Sequence, residues 1–433
     1  MLDIRPWLVY DGAMDEKELL QCRGRLEKFL EDLLEPVGRA ERRQWGSAYV
    51  RGLLLDGKRK SIEPMASRLP DGNVQAMQQF IGQSPWDPMP VRRRLAEQVA
   101  RELLPSCAWI VDDTGFPKQG PHSVGVARQY SGTLGKVANC QVAVSLNLAT
   151  DDACMPLNFD LYLPEGWTKD PDRMAKVGVP QGTAFRKKWQ IALDLIDEAS
   201  KWDIPKGVVV SDSAYGDVVE FRQGLLDRDL PYVVEIESKT IIFNPPPKTK
   251  KGHPRKTREA TAPETISVIG YSKTWPMWRW KTIRWREGSK GHLVSRFAAV
   301  RVNPAHGYRE NLPPPPRQWL LVEWSHNKEE PTEFWFSSLS PQAGLRRLVR
   351  LAKIRWQVEQ NYQQQKDELG LDHYEGRGYR GWHHHVTMNM MAFGFLILET
   401  LRGKKNFWVD PAEDSPDDSG SVGHLDGTLP DLP

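Results

Sequence analysis

The sequence is short of the features that usually assign a chain at sight. Its four cysteines, Cys22, Cys107, Cys140 and Cys154, are widely spaced and form no C-x-x-C pair. That spacing argues against a zinc knuckle and a disulfide framework, and fits a reducing cytoplasm. No run of about 18 apolar residues occurs, which argues against a membrane span. The opening Met1-Leu2-Asp3-Ile4-Arg5-Pro6 has neither the basic nor the apolar region of a secretory signal. Gly125 to Gly135 bears glycines but matches no phosphate-binding loop, so no nucleotide cofactor is expected. Residues 410–433 hold seven acidic residues and no Lys or Arg, so residues 1–409 carry +10 against +3 for the whole chain. A basic body with an acidic tail suits a polyanion ligand, although such a charge is also ordinary for solubility.

The composition present is that of a globular protein of two or three domains: 433 residues, 39% hydrophobic and 27% charged. Residues 1 to about 104 read as helical. Apolar spacing predicts helices over Glu16–Leu34 and Pro90–Leu104. Between them, Arg42 and Arg43 lie beside Trp45 and Tyr49, a mixture that suits contact with DNA phosphates or a solvated helix face. From 105 to 236 strands and helices alternate. Strands are expected at Ala108–Val111, Ala138–Leu148, Asn158–Leu163, Val208–Val210 and Tyr232–Glu235, and helices at Arg186–Trp202 and Val218–Arg228. Residues 237–340 read as β-rich, with strands expected within Thr265–Gly270, Trp275–Arg286, Val294–Val302, Trp319–Trp324 and Glu333–Phe336. The loop from Lys248 to Arg258, with Lys250 and Lys251, could follow a DNA backbone or simply be solvated. A single helical stretch is expected over Leu348–Leu369. The residues from 404 read as an acidic disordered tail.

Three carboxylates stand out. Asp112 closes the apolar run Ala108 to Val111. Asp212 follows Val208-Val209-Val210-Ser211. Glu359 lies in the helical stretch, with Arg355 and Lys366 on the same face and Tyr362 nearby. Carboxylates at two strand ends and on a helix can hold two divalent ions about 3.5–4 Å apart against a phosphodiester. Mg²⁺ suits the task because it takes oxygen ligands and keeps positions for water and phosphate. Asp113 competes with Asp112, and strand alternation allows only one of them into the site. Asp217 competes with Asp212 but reads as the N-cap of the next helix. Of 17 tryptophans, seven fall between 275 and 335. Most must be core, while Trp335 is a candidate stacking platform for an unstacked base. His383-His384-His385 would splay around a helix and opens an apolar run, which favours a buried helix start over a metal site.

Asp112-Asp113-Thr114-Gly115-Phe116-Pro117-Lys118, Ser211-Asp212-Ser213-Ala214-Tyr215-Gly216-Asp217 and Arg355-x3-Glu359-x6-Lys366 together resemble the three motifs of DDE-type bacterial insertion-sequence transposases. The third is similar to the Y-R-E-K signature of the branch with a β-strand insertion, except that Ala352 stands at the tyrosine position. The resemblance implies an α/β chain: a helical N-terminal DNA-binding region (1–104), an RNase H-like core in two parts (105–236 and 341–403), a β-rich insertion subdomain (237–340) between them, and the tail (404–433). It implies catalytic, metal-holding Asp112, Asp212 and Glu359 with two Mg²⁺ ions, Mn²⁺ substituting. It implies DNA contacts from Arg355, Lys366, Tyr362, Trp335, Lys118, Arg42, Arg43, Lys250 and Lys251. The expected reaction is cleavage at terminal inverted repeats and strand transfer into target DNA, by cut-and-paste and through a hairpin on the excised end. The expected assembly is a homodimer on paired double-stranded DNA ends, in the bacterial cytoplasm with the nucleoid. The alternatives are an endonuclease without joining activity and an inactive domesticated DNA-binding protein.

Overall fold

Five helices precede the first strand: α1 (Glu16–Leu34), α2 (Ala40–Leu54), α3 (Ile62–Arg68), α4 (Val74–Gly82) and α5 (Pro88–Glu102). The computed structural model describes residues 16–103, 108–244, 264–288, 291–306 and 315–408. Helix α1 buries Cys22, Leu26, Phe29, Leu30 and Leu33, one stripe at helical spacing. Asn73 caps α4 by accepting the Ala76 N–H, and Asp87 caps α5 ahead of Pro88.

Then come β1 (Ala108–Pro117), β2 (Ala127–Ser131), β3 (Lys136–Ala149) and β4 (Cys154–Tyr162). Helices α6 (Glu165–Thr168), α7 (Pro171–Lys176) and α8 (Lys188–Ala199) lead to β5 (Val208–Ser211). Helices α9 (Ser213–Gly216) and α10 (Val219–Leu226) lead to β6 (Tyr232–Ile236). Strand β1 pairs antiparallel with β3 and parallel with β5, which pairs parallel with β6. Strand β3 is long enough to hold β2 along its first half and β4 along its second. The order β4-β3-β1-β5-β6, three antiparallel strands continued by two parallel ones, is that of an RNase H-like core. Ala108 to Val111 and Val208 to Ser211 are buried at every position, as parallel strands covered on both faces require.

Beyond β6 lie β7 (Ile241–Phe243), β8 (Thr265–Ser267), α11 (Val268–Lys273), β9 (Lys281–Gly288), β10 (Gly291–Val302), β11 (Gln318–Ser325) and β12 (Glu333–Ser337). Strands β7 and β8 form a separate ribbon. Strands β12, β11, β10 and β9 continue the core sheet, because β12 pairs antiparallel with β6. An unpaired β6 would leave an open edge inviting other chains, and β12 closes it. Residues 268–273, expected within a strand segment, are helical: Ser267 caps them by accepting the Gly270 N–H.

The stretch expected as one helix is two, α12 (Leu345–Lys353) and α13 (Trp356–Asp367). At the join the backbone stays right-handed, but Gln357 and Val358 donate to carbonyls three residues back instead of four. The last element, α14 (Tyr379–Trp408), is buried along most of its length and touches α5, α2, α4 and β4. It runs through residues 404–408, which the sequence placed in the tail. The remainder of that tail, and the loop carrying Lys250 and Lys251, lie outside the described residues. Among the described residues no helix is long and apolar enough to cross a membrane.

Candidate active site

Register brings the two aspartates together. Val111 on β1 is level with Ser211 on β5, so Asp112 and Asp212, one residue further along each, are neighbours about 4.8 Å apart in backbone spacing. The strand expected to end at Val111 continues to Pro117, which fixes Asp112 within the sheet. Alternation sends Asp113 to the other face. There its carboxylate meets Lys188 of α8 at 2.9 Å, with the Tyr215 hydroxyl 3.4 Å away. Asp217 is the C-cap of α9 and not the N-cap of the next helix: its two oxygens accept from the Glu237 N–H at 2.8 Å and the Thr240 hydroxyl at 2.6 Å, tying α9 to the chain after β6. Val218 takes the cap position instead.

The third carboxylate arrives on α13. Arg355, at the N-terminal cap of that helix, places one guanidinium nitrogen 3.1 Å from Asp112 Oδ2 and another 2.9 Å from Glu359 Oε1. A single cation thus bridges the first and third carboxylates. Its pKa is raised by Asp112, Glu359, Asp212 and Glu235 together, against the opposing effect of burial. Burial pushes the Asp112 carboxyl upward, with Asp212 adding to the rise and Arg355 opposing it. The same balance of burial against Arg355 raises Asp212, whose buried Oδ1 has no hydrogen-bond partner. Among the described residues no three His, Cys, Asp or Glu side chains converge as one metal-binding group; at this site the guanidinium lies between Asp112 and Glu359. A buried carboxylate oxygen without a partner, carboxylates whose pKa values burial pushes up, and an arginine drawn in among them fit a place built for more positive charge than one guanidinium supplies.

The other expected contacts divide. Arg43 is exposed and donates to the Gly38 carbonyl, while Arg42 lines a shallow surface cleft with Arg39 and Trp45. Tyr49, their expected partner, is buried and hydrogen-bonded to His385 at 2.9 Å. Lys118 is half-buried and donates to the Tyr374 carbonyl at 2.6 Å, beside a cleft lined by Lys58 and Arg59. Lys366 is turned inward: it donates to Thr114 Oγ1 at 2.7 Å and the Gly115 carbonyl at 2.9 Å, and burial lowers its pKa to about 8. From there it braces β1 two residues past Asp112 and presents no surface charge to a phosphate. Trp335 does not form a stacking platform in this state. It is 2% exposed on β12, with the Lys353 ammonium 5.0 Å from its ring. Trp278, at 72%, is the exposed indole of that region.

Tyr362 is buried as well, its hydroxyl 2.6 Å from Ser145 Oγ on β3. Tyr362→Phe should therefore cost about 1 kcal/mol of stability in urea titrations and leave DNA affinity unchanged. A tenfold loss of affinity at constant salt would return the hydroxyl to the DNA.

Sequence reasoning passed over Lys353. Its ammonium contacts Glu323 and Glu333, and the rings of Trp285 and Trp335 lie 4.9 and 5.0 Å away. A lysine two residues before Arg355 gave no signal, because its partners come from β11 and β12. The three histidines are buried at the start of α14. His384 lies between the Ile81 and Trp86 carbonyls, which is a packing role. Ala352 is buried on α12, and the signature's tyrosine hydroxyl has no counterpart at that position.

The chain was compared with known proteins. A family model described as DDE superfamily endonuclease matches residues 32–292, a stretch that contains Asp112 and Asp212 and stops short of Glu359. A protein of Microchaete diplosiphon described as a probable transposase for insertion sequence element IS701 is 26% identical over 330 residues, 75% of each chain.

Proposed function

Since the chain belongs to the DDE superfamily endonucleases, we propose that it is the transposase of an insertion sequence, cutting double-stranded DNA at the element's terminal inverted repeats and joining the freed ends to target DNA. The observation that carries this reading is the bridging of Asp112 and Glu359 by one guanidinium, with Asp212 level with Asp112 in the sheet. The relative's description as a probable transposase supports the joining step over cleavage alone.

Asp112, Asp212 and Glu359 are the residues that would hold two Mg²⁺ ions, or Mn²⁺ in their place. When bound, the ions supply activation of the attacking oxygen and neutralise charge on the phosphate and the leaving oxygen. Asp112 is fixed in β1, with Oδ1 accepting the Asp113 N–H at 2.7 Å, so little reorganisation is asked of it. Glu359 is 61% exposed in its side chain and lies where a duplex can approach. Arg355, released from Asp112 as the carboxylates take up other positive charge, then has a phosphate beside the cleaved bond to grip with its two-pronged fork. Arg42 and Arg43 on α2 serve the flanking duplex. Cut-and-paste through a hairpinned end, and a homodimer holding two ends at once, complete the reading.

The test is a labelled duplex carrying the element end, incubated with Mg²⁺ and either the parent protein or Glu359→Gln. The expected result is nicked and joined products from the parent and neither from the variant. Nicking without joined products would leave an endonuclease. Equal activity in both proteins would remove Glu359 from the site.

A further inference from the structure

The sheet register that aligns the two aspartates aligns a third carboxylate. Ser211 on β5 is level with Val234 on β6, as Val111 is with Ser211. One step further along all three strands lie Asp112, Asp212 and Glu235. Residues level across parallel strands point to the same face of a sheet, and each backbone step is about 4.8 Å. Glu235 therefore flanks Asp212 on the side away from Asp112. Its antiparallel partner across β12 is Trp335, whose ring lies near Lys353 at the end of α12, so this is the face that α12 covers. Glu359 comes from the opposite flank, on α13, which contacts β1 and β4.

Resting on the reading above, we propose that Glu235 is a fourth carboxylate of the metal site, joining Asp212 in holding one ion while Asp112 and Glu359 hold the other. The Arg355 guanidinium already bridges Asp112 and Glu359 at the other end of the same row. The buried Asp212 Oδ1 has no hydrogen-bond partner, so Asp212 has an oxygen left to share with an ion. Glu235 is only half-buried, and a carboxylate kept on the sheet next to Asp212 has a use if a divalent ion shares it. Four carboxylates around two ions also leave each ion fewer protein ligands than it can take, with positions for phosphate and water.

The experiment uses the full chain and Mn²⁺ alone as the probe, followed through the free-ion paramagnetic resonance signal. The parent is expected to bind two ions. Glu235→Gln should lose one, or bind it about tenfold or more weakly, and Glu235→Asp should recover part of that loss. In a second measurement Fe²⁺ replaces Mn²⁺, and radical cleavage of the polypeptide marks the bound positions. Scission near residue 235 is expected in the parent, which holds whether or not the variant folds. Unchanged Mn²⁺ stoichiometry and affinity in a folded Glu235→Gln, or scission near 112, 212 and 359 but not 235, would overturn the proposal and leave the three-carboxylate reading standing. No Mn²⁺ binding and no metal-dependent cleavage by the parent would instead overturn both.

Discussion

Asp112→Asn is expected to abolish cleavage while leaving the metal-free protein at least as stable as its parent. The loss follows from position: Asp112 is buried beside Asp212 and joined to Glu359 through Arg355, and an amide at that place cannot hold a divalent cation. About a thousandfold or more in rate should go, equivalent to about 4 kcal/mol of transition-state stabilisation. The stability result follows from the direction of its pKa. Burial raises the Asp112 carboxyl in the folded chain and Arg355 only partly offsets it. A carboxyl raised in this way contributes stability below its unfolded pKa, near 3.9, and loses that contribution as pH climbs through the folded value. The parent therefore bears a growing cost toward alkaline pH that the asparagine does not. Arg355 keeps Glu359 as a partner in the variant. Melting curves in chelator should show the variant's advantage small at pH 5 and larger at pH 9. A variant that melts well below the parent across that range would mean that the Asp112–Arg355 pair is a net stabiliser.

Lys353→Ala should produce the largest loss of stability of any single change near the site. Lys353 and Glu323 are almost fully removed from solvent, with side chains 12% and 4% exposed. Removing the ammonium strands Glu323 between β10 and β12, where burial already raises its pKa and Lys353 is what opposes the rise. Breaking such a pair from one side costs about 3–5 kcal/mol. The cost is in the unpaired charge, so Glu323→Gln added to Lys353→Ala should restore a substantial part of it, which a double-mutant cycle in urea would read directly. Because Lys353 ends α12 and Arg355 caps α13, the single variant should also lose cleavage at temperatures where it remains folded. Additive losses in the double variant would show that Glu323 draws little from Lys353.

Much of this was legible in the residues, and for identifiable reasons. The apolar runs before Asp112 and Asp212 predicted β1 and β5 because buried parallel strands have no polar alternation to blur them. The two-residue period of a strand allowed only one of Asp112 and Asp113 into the site, the resemblance to the family's first motif favoured Asp112, and Lys188 accounts for the other. The join at Ile354-Arg355 carried no signal: neither residue breaks helices, and the side chains on either side find their partners on elements far away in sequence. Trp335 was misjudged because a large indole on a strand looks the same whether its face of the sheet is covered by the protein or by a ligand. Here the end of α12 lies over it, with the Lys353 ammonium 5.0 Å from its ring. Glu235 was hidden for a related reason. Nothing in Tyr232 to Ile236 marks it until the parallel register is known.

The closing of β6 by β12 also sets a schedule for the ribosome. β6 ends at residue 236 and β12 begins at 333, so at about 5–20 residues per second a nascent chain waits roughly 5–20 seconds with one edge of its central sheet open. Arg355 and Glu359 emerge later still. A chain halted anywhere in that interval holds both aspartates and neither the arginine nor the helix that completes the site. The unfinished protein is thus prone to stick to its neighbours before the helix that carries Glu359 has been made.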